Sequence, residues 1–338
     1  MSDIMTCMPF GQLMEWVLQE KSGKDTVFGV HRPYTVNADH NLTIFERTLE
    51  TPVGPAAGPH TQLAQNIIAS YYAGARFFEL KTVQKMDGAE LSACVNKPCI
   101  LADDEGYNCE WSTELTVPDA MSEYIKAWFI IHVMAKEFDL GAQDGFQFNI
   151  SVGYDLEGIK GDKVNTFIDG MMEAKDTAVF QECKKWLLDN ADRFHNFTRE
   201  DIEAIPSNVC NSATISTLHG CPPQEIESIA NYLLTEKHLN TFVKCNPTLL
   251  GYDFARKTMD EMGYDYMVFG DFHFRDDLQY EDAVPMLTRL MKLSEELGLE
   301  FGVKITNTFP VDVTRNELPS EEMYMSGKSL FPLSISLA

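Results

Sequence analysis

Four apolar runs in this 338-residue chain end on residue types that hold or polarise a ligand. Lys81–Thr82 follows "FFEL", Asn149 lies in "FQFNIS", Lys244 in "TFVKCNP", and Asn307–Thr308 closes "GVKITNTF". A buried lysine is costly unless an anion pairs with it. Polar residues gathered at the C-terminal ends of parallel strands are where α/β barrels build active sites. A fifth stretch, "TPVGPAAGPHTQLAQN" (Thr51 to Asn66), passes from an extended run through small residues into a helix. Such a turn leaves backbone amides open, and Gly58 permits close approach of a ligand to the chain.

The segment "STLHGCPPQEIE" carries the reactive pair His219 and Cys221. Cys221 precedes Pro222–Pro223 and a helix starting near Gln224, and a helix N-terminus favours a thiolate. Two readings stand side by side, a proton donor or nucleophile and a structural turn cysteine. Spacing of i, i+2 does not by itself bring the two side chains together. Cys94, Cys99 and Cys109 form a C-x4-C-x9-C run with no C-x2-C pair. Zinc and iron–sulfur sites use tighter, paired spacing, so no metal is expected in this chain.

These residues need elements to position them. Strand-like runs are "ETPVGPAA", "ARFFELKTV", "GFQFNISVG", "ATISTL", "TFVKCNP", "DYMVFG" and "FGVKITNTF", with helix-like runs between most of them, and "DYMVFG" reads either as a barrel strand or as part of an insertion. Alternating β and α units imply a parallel sheet with crossover helices. Phe10, Leu13, Met14 and Val17 repeat at helical spacing and predict a helix ahead of the main body. The expected organisation is a helix and extended lead-in over residues 1–49 and a barrel over residues 50–338. Insertions are expected at about 83–117 and 153–175, over the barrel mouth. The fold class expected is α/β, a (β/α)8 barrel. About six principal strands are countable where eight close a barrel, so the barrel is expected to be incomplete before strands 7 and 8.

The chain has 27 basic and 51 acidic residues and a formal charge of −24. Such a surface repels phosphate backbones and anionic lipid heads, which argues against nucleic acid and membrane partners. No basic leader is visible, and no apolar run approaches the roughly 20 residues a membrane helix needs. Cytoplasmic placement is the expectation.

Taken in order, the strand ends resemble one superfamily. "PVGPAAG" is similar to the first-strand signature of the dihydroorotate and dihydropyrimidine dehydrogenase superfamily, and "FELKTV" to its second strand. "FQFNIS" resembles the third, "LNTFVKCNPTLLG" the fifth, and "GVKITNTFP" the sixth. "MYMSGKSLFPLSISLA" resembles its Ser-Gly turn and following helix. Within the superfamily, the N-terminal part of a bacterial family named for selenate reductase is most alike. The loop around Cys221 departs from the family's "LSCPH". The fourth-strand asparagine is replaced by Thr214 or Ser216.

The resemblance implies a TIM-type barrel holding flavin mononucleotide (FMN), with iron–sulfur, FAD and NAD(P)H modules outside this chain. It implies Lys244 near the flavin N1/O2 edge and Lys81–Thr82 close to the ring or ribityl chain. Ala57, Gly58, Asn149, Asn307 and Thr308 would offer amides and hydroxyls, and Ser326 and Gly327 a further turn. Cys221 with His219 would supply the proton. The implied substrate is a planar cyclic amide such as a nucleobase-like heterocycle, and an oligomer is compatible with it. Two alternatives stay open, a selenate reductase subunit and a non-catalytic barrel used for docking.

Overall fold

The computed structural model describes residues 5–37, 39, 41–94, 100–101, 103–108, 115–216 and 219–338. In chain order the strands are β1 (Leu42–Ile44), β2 (Arg47–Leu49), β3 (Phe77–Glu79), β4 (Ile100–Leu101), β5 (Tyr107–Asn108), β6 (Gln147–Gly153), β7 (Cys210–Ser216), β8 (Asn240–Cys245), β9 (Phe301–Ile305), β10 (Phe309–Asp312) and β11 (Glu322–Met325). Five of them, in the order β3-β6-β7-β8-β9, form one parallel sheet in which spatial order follows chain order. Helices cross between them, as a parallel sheet requires. The sheet curls into a half-barrel, and β6 is buried along its whole length, covered on both faces.

The segment from Thr51 lies beside β3 but is not a ladder strand. The carbonyls of Val53 and Pro55 accept from the amides of Arg76 (2.8 Å) and Glu79 (3.1 Å). Pro52 and Pro55 have no N–H to return, so pairing runs one way only. The two backbones also lie unusually close. A Cβ on Gly54 would sit 1.5 Å from the Phe77 carbonyl oxygen.

"DYMVFG" forms no strand either. Its neighbours are the helix Tyr252–Glu261 and β10: Arg256 donates to the Met267 carbonyl, and the Asp312 amide to that of Val268. Met267 and Phe269 pack in a second small core with Phe274 and Phe309. The position beside β8 is taken by β9, with Lys244 opposite Lys304.

The helix Val117–Glu137 is the most deeply buried outer element. Thr116 caps it, accepting from the Asp119 amide at 3.2 Å. Residues 153–175 form the helices Leu156–Lys160 and Asp162–Met172. The second buries Val164, Phe167, Ile168 and Met171, and it packs on Val117–Glu137. The N-terminal helix Phe10–Lys24 docks outside the half-barrel, with the Phe10 ring edge-on to Phe129 and Trp186.

The β1–β2 hairpin closes the end of the half-barrel where the strands begin. Its turn residue Phe45 is buried against the rings of Phe77 and Phe242, and its carbonyl accepts from Asn211 at 3.1 Å. Beside it lies a buried ion pair. Arg76 donates to Glu50 at 2.7 Å and to the carbonyls of Tyr71, Ala75 and Leu140. At the opposite end, a four-stranded antiparallel sheet in the order β10-β11-β5-β4 spans the mouth. Among the described residues, no helix is long and apolar enough to cross a membrane.

Candidate functional site

The C-terminal ends of the parallel strands surround a cavity of about 340 Å³. Its floor and walls include Ala57, Gly58, Lys81, Thr82, Lys244, Asn307 and Thr308. Ser326 and Tyr324 reach it from the mouth sheet, and His219 from the loop after β7. With His219 and Ser326, most of the residues singled out from sequence therefore meet at one place, though they come from widely separated segments. Asn149 lies beneath them. Cys221 and Gly327 lie outside this lining.

Charge is distributed unevenly here. The chain is strongly acidic, yet the cavity gathers Lys81, Lys244 and Lys304 around one carboxylate, Glu79. Glu79 forms a salt bridge with Lys304 and accepts from the Ala57 amide at 2.8 Å. Burial pulls the Glu79 carboxyl upward. The charges of Lys304 and Lys244 and the Ala57 hydrogen bond outweigh it, and the carboxyl is held below its ordinary range. Lys244 is pushed down to about 7, first by burial and then by Lys304 and Lys81, against the opposing pull of Glu79.

Lys81 and Thr82 follow β3 after Leu80 and are both buried. Thr82 shares a 2.7 Å hydrogen bond with Ser151, and the Tyr124 hydroxyl donates to the Lys81 carbonyl at 2.9 Å. Asn149 is fully buried inside the half-barrel and donates to Thr214 at 2.7 Å. Thr214 is one of the two residues standing where the resemblance expected an asparagine. The Asn149 Oδ1 atom has no partner among the described residues.

A polar chain runs from Asn307 to His219. Asn307 donates to Asn246 Oδ1 at 2.9 Å, and Asn246 Nδ2 donates to Asp277 Oδ2 at 3.0 Å. Asp277 also accepts from His219 Nδ1 (2.7 Å), Thr248 Oγ1 (2.7 Å) and the Gly220 amide (2.5 Å). Burial raises the Asp277 carboxyl, but the hydrogen bonds it takes, from His219 first and then Thr248 and Gly220, hold it below the ordinary range. His219 Nε2 is buried and has no partner among the described residues.

Cys221 packs against the main core, with its Sγ 3.9 Å from the Pro222 carbonyl oxygen. The helix behind it begins at Pro223. Ser326 donates to the Gly106 carbonyl at 2.7 Å, which ties the β11 end to the β5 side of the mouth sheet. Gly327 begins a short 3-10 turn at φ 70°. Of the cysteine run, Cys99 and Cys109 lie outside the described residues, and of Cys94 only its place at the end of the helix Gly88–Cys94 is described.

Sequence reasoning missed Glu79, Lys304, Asn246 and Asp277. Lys304 had a usable signal, since it precedes Asn307 in a run with strand composition. Asp277, in "FRDDLQY", had none, because its importance rests on contacts across 58 residues of chain.

A flavin suits this donor set. The lysines are crowded and Lys244 is short of anionic partners. A ligand edge that becomes anionic would relieve that crowding. His219 also lines the cavity, and its Nε2 has no partner among the described residues.

Comparison with known proteins gives one family match. Residues 28–338 match the model described as "Oxidoreductase YgfK, N-terminal TIM-barrel domain". The chain is 46% identical, over its full length, to the protein named "Putative oxidoreductase YgfK" in Escherichia coli (strain K12), and equally so to that of Escherichia coli O157:H7. It spans 34% of the length of those relatives. Among solved structures, a DHODH in complex with ferulenol from Eimeria tenella is 12% identical with a TM-score of 0.39. That alignment covers 88% of this chain and 81% of the other, a likeness too slight to transfer a site.

Proposed function

Because the chain belongs to the family of the oxidoreductase YgfK N-terminal TIM-barrel domain, we propose that its cavity holds FMN in a flavin-dependent oxidoreductase. When bound, the flavin would supply hydride to, or accept it from, a planar cyclic amide such as a nucleobase-like heterocycle. The observation that carries this reading is the convergence of Lys81, Lys244 and Lys304 on one cavity of an acidic protein, with Lys244 pushed down to about 7.

Each wall then has a part. Lys244 and Lys304 balance negative charge that builds on the ligand. Lys81 and Thr82 flank the ring or ribityl chain. The amides of Ala57, Gly58, Asn307 and Thr308 are bonded to Glu79, Thr61, Cys245 and the Asn307 side chain, so these residues give the ligand a close-fitting turn and side-chain polarity rather than free amide donors. Asn149 and Thr214 support the floor from beneath. Ser326 and Gly327 shape the mouth. The substrate proton is carried on the loop after β7, where His219 lines the cavity and Cys221 stands two residues farther on.

Electrons enter from iron–sulfur and NAD(P)H modules in the part of the relatives that this chain does not span. The organisation proposed is a lead-in over residues 1–49, a barrel unit from residue 50, and insertions at about 83–117 and 153–175. The enzyme works in the cytoplasm.

The test is a purification of the full-length protein. A flavin spectrum that bleaches with a pyridine nucleotide is expected. A colourless protein that takes up no FMN on reconstitution would overturn the reading.

A further inference from the structure

Resting on the flavin reading, we propose that Asp277 is a positioning residue that sets the donor–acceptor direction of two cavity walls at once. It acts on His219 directly and on Asn307 through Asn246.

An ionised carboxylate only accepts hydrogen bonds. Asp277 is almost wholly buried and receives four donors, from His219, Gly220, Asn246 and Thr248. Each contact then has a fixed direction. Asn246 must turn its Nδ2 toward Asp277, so its Oδ1 faces the other way. That oxygen accepts Asn307 Nδ2 at 2.9 Å. The remaining Asn307 oxygen takes the Thr308 amide, also at 2.9 Å. One charge therefore orients two carboxamides in series, ending on residues that line the cavity.

The same charge acts on the imidazole. With Nδ1 donating to Asp277, the neutral ring carries its lone pair on Nε2, the atom without a partner among the described residues. His219 is thereby set to take a proton at Nε2 or, once protonated, to give one up there. Other groups face the ring. The His273 ring lies 5.5 Å from it and that of Tyr324 5.9 Å, and Glu322 holds His273 at 3.1 Å. Among the described residues Asp277 is the carboxylate in direct contact with His219, and Asn246 Nδ2 lies 3.3 Å from the same Nδ1.

A replacement that keeps shape but loses charge isolates the effect. Asp277→Asn leaves one oxygen for four donors. It serves the three that meet on Oδ2, from His219, Asn246 and Thr248, and the Gly220 amide on Oδ1 then faces an NH2 group. Adding Asn246→Asp restores an acceptor. The carboxylate introduced at position 246 can take amide protons from both the new carboxamide at position 277 and Asn307. The oxygen of that new carboxamide then turns to the Gly220 amide. The pair D277N and N246D/D277N therefore separates direction from bulk.

The experiment uses the full-length protein with two readouts. The first is hydrogen exchange of the peptide containing Gly220, which needs no cofactor. The second is titration of the apoprotein with FMN. Asp277→Asn should speed exchange and weaken FMN by roughly tenfold, the worth of one hydrogen bond. N246D/D277N should recover both. Exchange that stays fast in the double variant, or an unchanged exchange in Asp277→Asn, overturns the proposal. If Asp277→Asn does not fold, Asn246→Asp alone is read instead. It places two carboxylates side by side, and unchanged exchange there likewise overturns the proposal. Wild-type protein that binds no FMN while the exchange pattern follows expectation sinks the flavin reading and leaves the orienting role of Asp277 supported.

Discussion

Glu79 on β3 and Lys304 on β9 meet in a salt bridge although they stand on the first and last strands of the parallel sheet. A flat sheet would hold strands four spacings apart at about 19 Å. The contact exists because the sheet curls, and it joins the curl to the cavity. Glu79 also opposes the lysines beside Lys244. Glu79→Gln should therefore drive Lys244 further below its ordinary range. It should also destabilise the domain by about 3 kcal/mol, the scale of a buried pair broken from one side. Urea midpoints followed by exchange of β8 peptides test the second part, and the pH dependence of those midpoints tests the first.

Lys244 gives the apoprotein a defined pH response. Its folded value is about 7 and its ordinary value 10.5. Between these limits the unfolded chain binds the proton and the folded one has released it. Stability therefore rises with pH across this window, by at most about 1.4 kcal/mol per unit. Below the folded value of about 7 both states are protonated and this contribution is flat. Lys244→Met should remove the slope, and midpoints measured near neutrality and about two pH units above it report the difference.

Much of this was legible in the sequence. Lys81, Lys244 and Asn307 close runs rich in Val, Ile and Phe, and a parallel sheet sends such ends to one rim. Burial on both faces holds for β6 but not for β9, whose Val303 and Ile305 are exposed. Thr51 to Ala57 misleads because prolines look extended yet cannot donate to a ladder. "DYMVFG" has strand composition, but its Met267 and Phe269 serve a second core while Val268 faces solvent. Glu79 and Asp277 were invisible because a carboxylate's role depends on which cations and amides reach it. Glu79 and Lys304 are 225 residues apart in the chain.

Arg76 offers a control remote from the chemistry. It is 1% exposed and donates to Glu50 and three carbonyls. Arg76→Met leaves Glu50 buried with only the Ala142 amide among these partners. The expected loss is about 3–5 kcal/mol of stability. FMN affinity per folded molecule should stay close to that of wild type, since Arg76 belongs to the strand-start end. Arg76→Lys should not rescue, because an ammonium cannot span the four acceptors.

Gly54→Ala tests the close approach of the first barrel segment. The new methyl would fall 1.5 Å from the Phe77 carbonyl oxygen, so one backbone must move. A loss of about 1–3 kcal/mol follows from overpacking of this kind. The Ala57 amide should leave Glu79 in the process, and hydrogen exchange at residues 56–58 would report it as faster exchange.

The mouth sheet has a consequence for the order of events in synthesis. It pairs Tyr324 with Asn108, and Ser326 bonds to Glu105 and Gly106. Ser326 and Gly106 are 220 residues apart, so the two halves of this roof are made far apart in time. A nascent chain can curl its early strands long before β11 leaves the ribosome, and until then the lysine cluster stands open to solvent. A ligand that needs all three lysines would thus meet the complete cluster only after β9 has joined the sheet, and in the open only before the roof closes.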